Sequence, residues 1–126
     1  MKEKEKNIIV EKSYAFSVRC VKLYKYLVEV KRNETIGKQL LRSGTSIGAN
    51  VKEGIRGYSQ ADFAAKLSIA HKEASETEYW IELLRDTDYI TGEQAKSMLS
   101  DCIEVIKLLT AIVKTAQENL NKGKKL

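Results

Sequence analysis

Apolar side chains recur along the chain at spacings of three and four residues, with polar residues between, which is the period of a helix buried on one face. In residues 10–31, Val10, Tyr14, Ser17, Val21, Tyr24 and Val28 fall in one row, and Phe16, Cys20, Leu23 and Leu27 widen it. KRNET (31–35) is a short connection, which makes the first two helices antiparallel neighbours. The second helix spans 34–55 with Ile36, Leu40, Ile47, Val51 and Ile55 in one arc. RGYSQAD (56–62) is a turn in which Ser59 and Asp62 resemble a capping box.

The third helix covers 60–86. Phe63, Leu67, Ala70, Ala74, Thr77, Ile81 and Leu84 form its seam, and Ile69, Trp80 and Leu83 extend it. The resulting arc of roughly 200° is about twice that of a one-sided helix. Such a helix is either central or shared with another subunit. TDYITGEQ (87–94) supplies a second capping box, Thr91 with Gln94. The fourth helix then runs to about residue 120 on Ala95, Met98, Leu99, Cys102, Ile103, Val105, Ile106, Leu109, Ile112, Val113 and Ala116. Four amphipathic helices with short loops predict an all-α, antiparallel up-down-up-down four-helix bundle. The bundle is expected over 10–120, with a flexible N-terminus (1–9) and a frayed basic C-terminal tail (121–126).

SGTSIGAN (43–50) interrupts the composition but not the period. A phosphate-binding loop would follow a strand and carry a GK[ST] ending, and neither is present. Gly44 and Gly48 are instead expected to let another backbone come close. Beside the apolar arc runs a polar stripe of Gln39, Arg42, Ser46, Asn50 and Glu53. Glu73 and Glu76 fall within the wide arc of the third helix, where a buried carboxylate needs a partner. Arg42 and Asn50 are the expected partners, making a polar seam between helices two and three.

Composition agrees with long helices: the 126 residues contain no proline. Cys20 and Cys102 fit no metal or redox spacing and read as buried, reduced thiols. No segment has the length and apolarity of a signal peptide or a membrane span, so a soluble, cytoplasmic protein is expected. The formal net charge is +5. Residues 1–63 carry 13 basic and 7 acidic side chains, so the basic excess lies in the first half, joined by Lys122, Lys124 and Lys125. Such a balance suits nucleic acid or an acidic partner.

Candidate chemistry is sparse. A di-iron bundle site could draw on Glu53, Glu73 and Glu76, but it needs two Glu-x-x-His motifs. The only histidine is His71, with Ser68 three residues before it. Neither His71 nor Cys102 belongs to a nucleophile motif, and a tight bundle offers no cleft for paired carboxylates. No catalytic, cofactor-binding or metal-binding residue is assigned, and the protein is not expected to be an enzyme. Lys12, Arg19 and Tyr26 are seven apart and align, with Lys22 beside them, on a face expected to lie opposite the core. That face is the candidate nucleic-acid surface, with a tyrosine for base stacking. The competing reading is a protein–protein module in which Ile69, Trp80 and Leu83 form the contact.

The segments KQLLRSGTSIGANVKEG and SQADFAAKLSIAHKEASETEYWIELL carry a resemblance. Through Gln39, Leu40, Arg42, Ser46, Ile47, Asn50, Glu53, Gly54, Phe63, Leu67, Ala70, Glu76 and Trp80, the chain resembles a bacterial family of small four-helix-bundle proteins. Members are encoded in intervening sequences of large-subunit ribosomal RNA genes. The resemblance extends from about residue 12 to 115 and implies a homo-oligomer, often a ring-like pentamer. The family is similar to the accessory protein of diversity-generating retroelements, which implies RNA or DNA, or a reverse transcriptase, as partner. Many members carry proline where this chain has Gly48, and because both residues disfavour a straight helix the resemblance implies that this chain can bend near Ala49 too, although glycine does not force it.

Overall fold

The computed structural model describes residues 1–125, which form four helices: α1 (Glu3–Glu29), α2 (Glu34–Ile55), α3 (Gln60–Asp86) and α4 (Gly92–Lys125). Consecutive helices are antiparallel and packed against each other, and α1 closes the ring against α4 through a much thinner contact. The architecture is the up-down-up-down bundle that the apolar period predicts. α1 begins inside the stretch expected to be flexible, and Ile9 is fully buried. Helix also continues through Lys125, past the expected end at 120, while Leu126 lies outside the described residues.

The starts of α2, α3 and α4 each have a local cause, whereas α1 begins at Lys2 without a side-chain cap. The Asn33 side chain accepts from the Ile36 N–H at 3.1 Å and caps α2. Ser59 accepts from the Asp62 N–H at 3.0 Å and caps α3. Thr91 and Gln94 cap α4 reciprocally, at 2.9 and 3.1 Å. Arg32 and Asp88, both with positive φ, reverse the chain in the α1–α2 and α3–α4 turns, at the end of the bundle opposite Ser59.

The buried row of α1 is Ile9, Ser13, Phe16, Cys20 and Leu27, and this corrects the expected phase. Val10 and Tyr14 are exposed, Tyr14 by 70%. Two apolar rows lie about one residue apart on this helix, roughly 100°. The row rich in valine and tyrosine looks more core-like by composition. The buried row wins because its small members, Ser13 and Cys20, are what α2 needs opposite its glycines.

α2 is one uninterrupted helix through SGTSIGAN. A Cβ on Gly44 would lie 2.5 Å from Cys20 Sγ and 2.8 Å from Cys20 Cβ. A Cβ on Gly48 would lie 3.2 Å from Ser17 Oγ and 3.4 Å from the Ser13 carbonyl oxygen. The Ser17 hydroxyl is 3.2 Å from the Gly44 carbonyl oxygen, a link that only such close packing permits. On the other side of α2, the Thr77 hydroxyl donates to the Glu73 carbonyl and lies 2.8 Å from Ser43 Oγ. Ser43 and Thr77 are fully buried, so this pair satisfies polar groups that would otherwise be costly.

Gly44→Ala should lower stability by about 1–3 kcal/mol in a chemical or thermal unfolding curve, because crowding of Cys20 outweighs the gain in helix propensity. A variant as stable as the wild type would show that α1 and α2 are not held at this distance.

Candidate functional site

The polar edge between α2 and α3 is organised by Arg42. Its Nη1 lies 3.1 Å from Glu73 Oε2, and its Nη2 is paired with Glu76 Oε2. That same Glu76 oxygen accepts from Trp80 Nε1 at 3.1 Å. The Arg42 side chain is 50% exposed and the Glu73 side chain 15%, so the arginine clasps the seam from outside. Asn50, the other expected partner, does not reach the carboxylates. Its amide nitrogen donates to the Ser46 carbonyl at 2.8 Å, within its own helix. The register explains this: Ser43 opposes Thr77 and Gly54 opposes Leu67, so Asn50 faces the segment around Ala70. Gln39 is exposed, and Glu53 lies 3.5 Å from Lys66, away from the clasp.

Apolar side chains are exposed along α3 on either side of the clasp. Ile69 is 42% and Tyr79 56% exposed, and Trp80 and Leu83 are half-buried. The Tyr79 and Trp80 rings meet edge to face, with centroids 5.0 Å apart. Trp80 also packs against the core.

The candidate nucleic-acid face on α1 is not opposite the core. It borders the thin seam with α4, where Lys12 Nζ lies 2.9 Å from Glu104 and Arg19 Nη1 lies 2.7 Å from Asp101. Arg19 also donates to the Ser97 carbonyl (3.1 Å) and hydroxyl (2.8 Å). The hydrogen bond that Lys12 donates to Glu104 raises the Lys12 pKa, as does the charge of the Glu104 carboxylate. Lys22 is exposed, and Tyr26 is half-buried beside Arg19 in a shallow groove shared with Ser97 and Met98. The displaced phase of α1 is the reason: once Ile9, Phe16 and Leu27 face inward, this row becomes a flank of the core.

Sequence reading missed the distribution of charge over the ends of the bundle. Antiparallel packing brings the first turns of α1, the α2–α3 turn and the last turns of α4 together. Met1 and Glu5 line one cleft with Phe63, Ile112 and Asn119, and Met1 and Lys6 line another with Tyr58 and Phe63. Residues 1–7, 52–66 and 114–123 hold eight basic and five acidic side chains, and the rest of residues 1–123 holds twelve of each. The whole net charge of residues 1–123 therefore belongs to one end. Lys2, Lys4, Lys6, Lys52 and Arg56 there make no ion pair among the described residues. The signal lies in the sequence, but only the up-down topology adds three separate segments together.

The family model of the 23S rRNA-intervening sequence protein matches residues 5–111. The chain belongs to this family. A crystal structure at 1.70 Å of a protein of unknown function from the S23 ribosomal protein family of Bacteroides thetaiotaomicron is similar to it, with a TM-score of 0.86 and 53% identity. The similarity covers 87% of this chain and 98% of that one. No curated protein sequence matches the chain.

Among the described residues, no group of three His, Cys, Asp or Glu side chains is placed to hold a metal ion. His71 Nε2 lies 2.9 Å from Thr110 Oγ1 and ties α3 to α4. Burial pushes the Cys20 thiol up to about 12, and raises the Cys102 thiol as well, so neither is a nucleophile at neutral pH. Cys102 Sγ lies 3.4 Å from the Ala74 carbonyl oxygen, in the core. No helix among the described residues is long and apolar enough to cross a membrane.

Arg42→Met should cost about 1 kcal/mol of unfolding free energy, because Glu73 and Glu76 lose their cation. The gap to wild type should narrow in 1 M salt, where screening acts over ~3 Å. Equal stability at low salt would show that the clasp contributes nothing.

Proposed function

We propose that the protein is a non-catalytic nucleic-acid-binding bundle, acting on RNA in keeping with the origin of its family. The observation that carries this reading is the collection of the entire net positive charge of residues 1–123 at one end. Phosphate backbones recognise such a surface through release of counterions, with little dependence on base sequence. The α1 face supports it less well, because Lys12 and Arg19 are already occupied by carboxylates of α4.

A labelled single-stranded RNA should bind in an anisotropy titration at 50 mM salt. Affinity should fall about twentyfold by 200 mM, as for roughly three phosphate contacts. The double change Lys52→Glu and Arg56→Glu should abolish most of that affinity, while Lys22→Glu on the α1 face should leave it nearly intact. The opposite ranking would move the site to α1, and no binding by the wild type would end the reading.

We also propose self-association through the exposed apolar side chains of α3, Ile69 on one side of the clasp and Tyr79 beside Trp80 on the other. Ile69→Glu with Tyr79→Glu should turn an oligomer into folded monomers by light scattering and circular dichroism. A wild-type monomer, or an oligomer indifferent to these changes, would exclude this interface. A ring would place several basic ends on one assembly and strengthen binding by multivalency.

A further inference from the structure

Tyr58 is fully exposed at the tip of the α2–α3 turn, and its position is set by the backbone on both sides. The Gly57 N–H bonds to the Gly54 carbonyl at 3.1 Å, and Ser59 is fixed as the cap of α3. Gly57 leaves room for the Asp62 carboxylate, which a Cβ would meet. The ring is therefore held out from the bundle by a tight turn.

Two shallow clefts flank the ring. One is lined by Lys52, Arg56 and Lys66, with Glu53 and Asp62 among them. The other is lined by Lys6, Gln60 and Phe63. Of the cations, Lys66 is paired with Glu53 at 3.5 Å, and Lys6, Lys52 and Arg56 have no carboxylate within ion-pair distance among the described residues. Lys52 and Arg56 also complement the carbonyl end of α2, which accounts for their charge without any ligand. That role does not account for an aromatic ring in water between them and Lys6.

We propose that this tip binds single-stranded nucleic acid, with an unpaired base stacked on Tyr58 and the adjoining phosphates on Lys52 and Arg56 on one side and Lys6 on the other. A flat ring between cationic clefts matches the alternation of base and phosphate along a single strand. A duplex keeps its base faces stacked inside and offers this ring nothing. The inference rests on the nucleic-acid reading above and names the strand state it selects.

The test compares a labelled 12-nucleotide oligouridylate with a blunt 12-base-pair RNA duplex at 50 mM salt, using the full chain. Tyr58→Ala should weaken binding of the single strand about tenfold or more, the contribution of one base–aromatic stack. Tyr58→Phe should restore it, and neither variant should alter duplex binding. Because the side chain touches no core residue, thermal melts of both variants should match the wild type. If Tyr58→Ala binds the single strand as tightly as the wild type, while Lys52→Glu with Arg56→Glu does not, stacking is overturned and the charge-based reading stands. If the wild type binds neither RNA, both are overturned.

Discussion

The approach of α2 to α1 sets the geometry on which the rest of the bundle depends. At Gly44 and Gly48 the missing side chains let the backbone of α2 rest against Cys20, Ser17 and Ser13. Glycine within a helix sacrifices about 1 kcal/mol of intrinsic propensity per residue. The sacrifice is offset by dense contact in a core where Phe16, Leu40 and Ile47 are fully buried. With α2 seated this deeply, its opposite edge meets α3 in one register, pairing Ser43 with Thr77 and Arg42 with Glu73 and Glu76. The small-residue run is thus a packing device and not a phosphate loop.

Much of the fold was legible because four long segments each repeat one period, and because the capping residues at Ser59 and Thr91 act locally. Those interactions span three residues and need no tertiary knowledge. The phase of α1 was less legible. Two apolar rows compete there, and only the demand of α2 for small partners decides between them. An error of about one residue in that phase turned a flank of the core into an apparent outer face, and so misplaced Lys12, Arg19 and Tyr26.

The candidate sites divide along the same line. Arg42, Glu73 and Glu76 could be matched from sequence, since the helical wheel puts them on edges of adjacent helices. The position of Asn50 required the antiparallel register, which periodicity does not contain. The basic end required more still, being assembled from three segments that are far apart in sequence. Tyr58 drew no notice in sequence because turns commonly hold polar residues and an isolated aromatic there fits no period. Its exposure became meaningful only with the charge around it.

The thin closure between α1 and α4 has a consequence for how the molecule comes into being. Every extensive contact joins helices adjacent in the chain, and only the closing seam, with its bridges from Lys12 and Arg19, links distant segments. Topologies of this kind have low contact order and fold quickly. During synthesis each hairpin can bury its apolar row as soon as its second helix leaves the ribosome, before the chain is complete. The seam joins helices that the intervening hairpins already bring close, so closing it costs little further loop entropy.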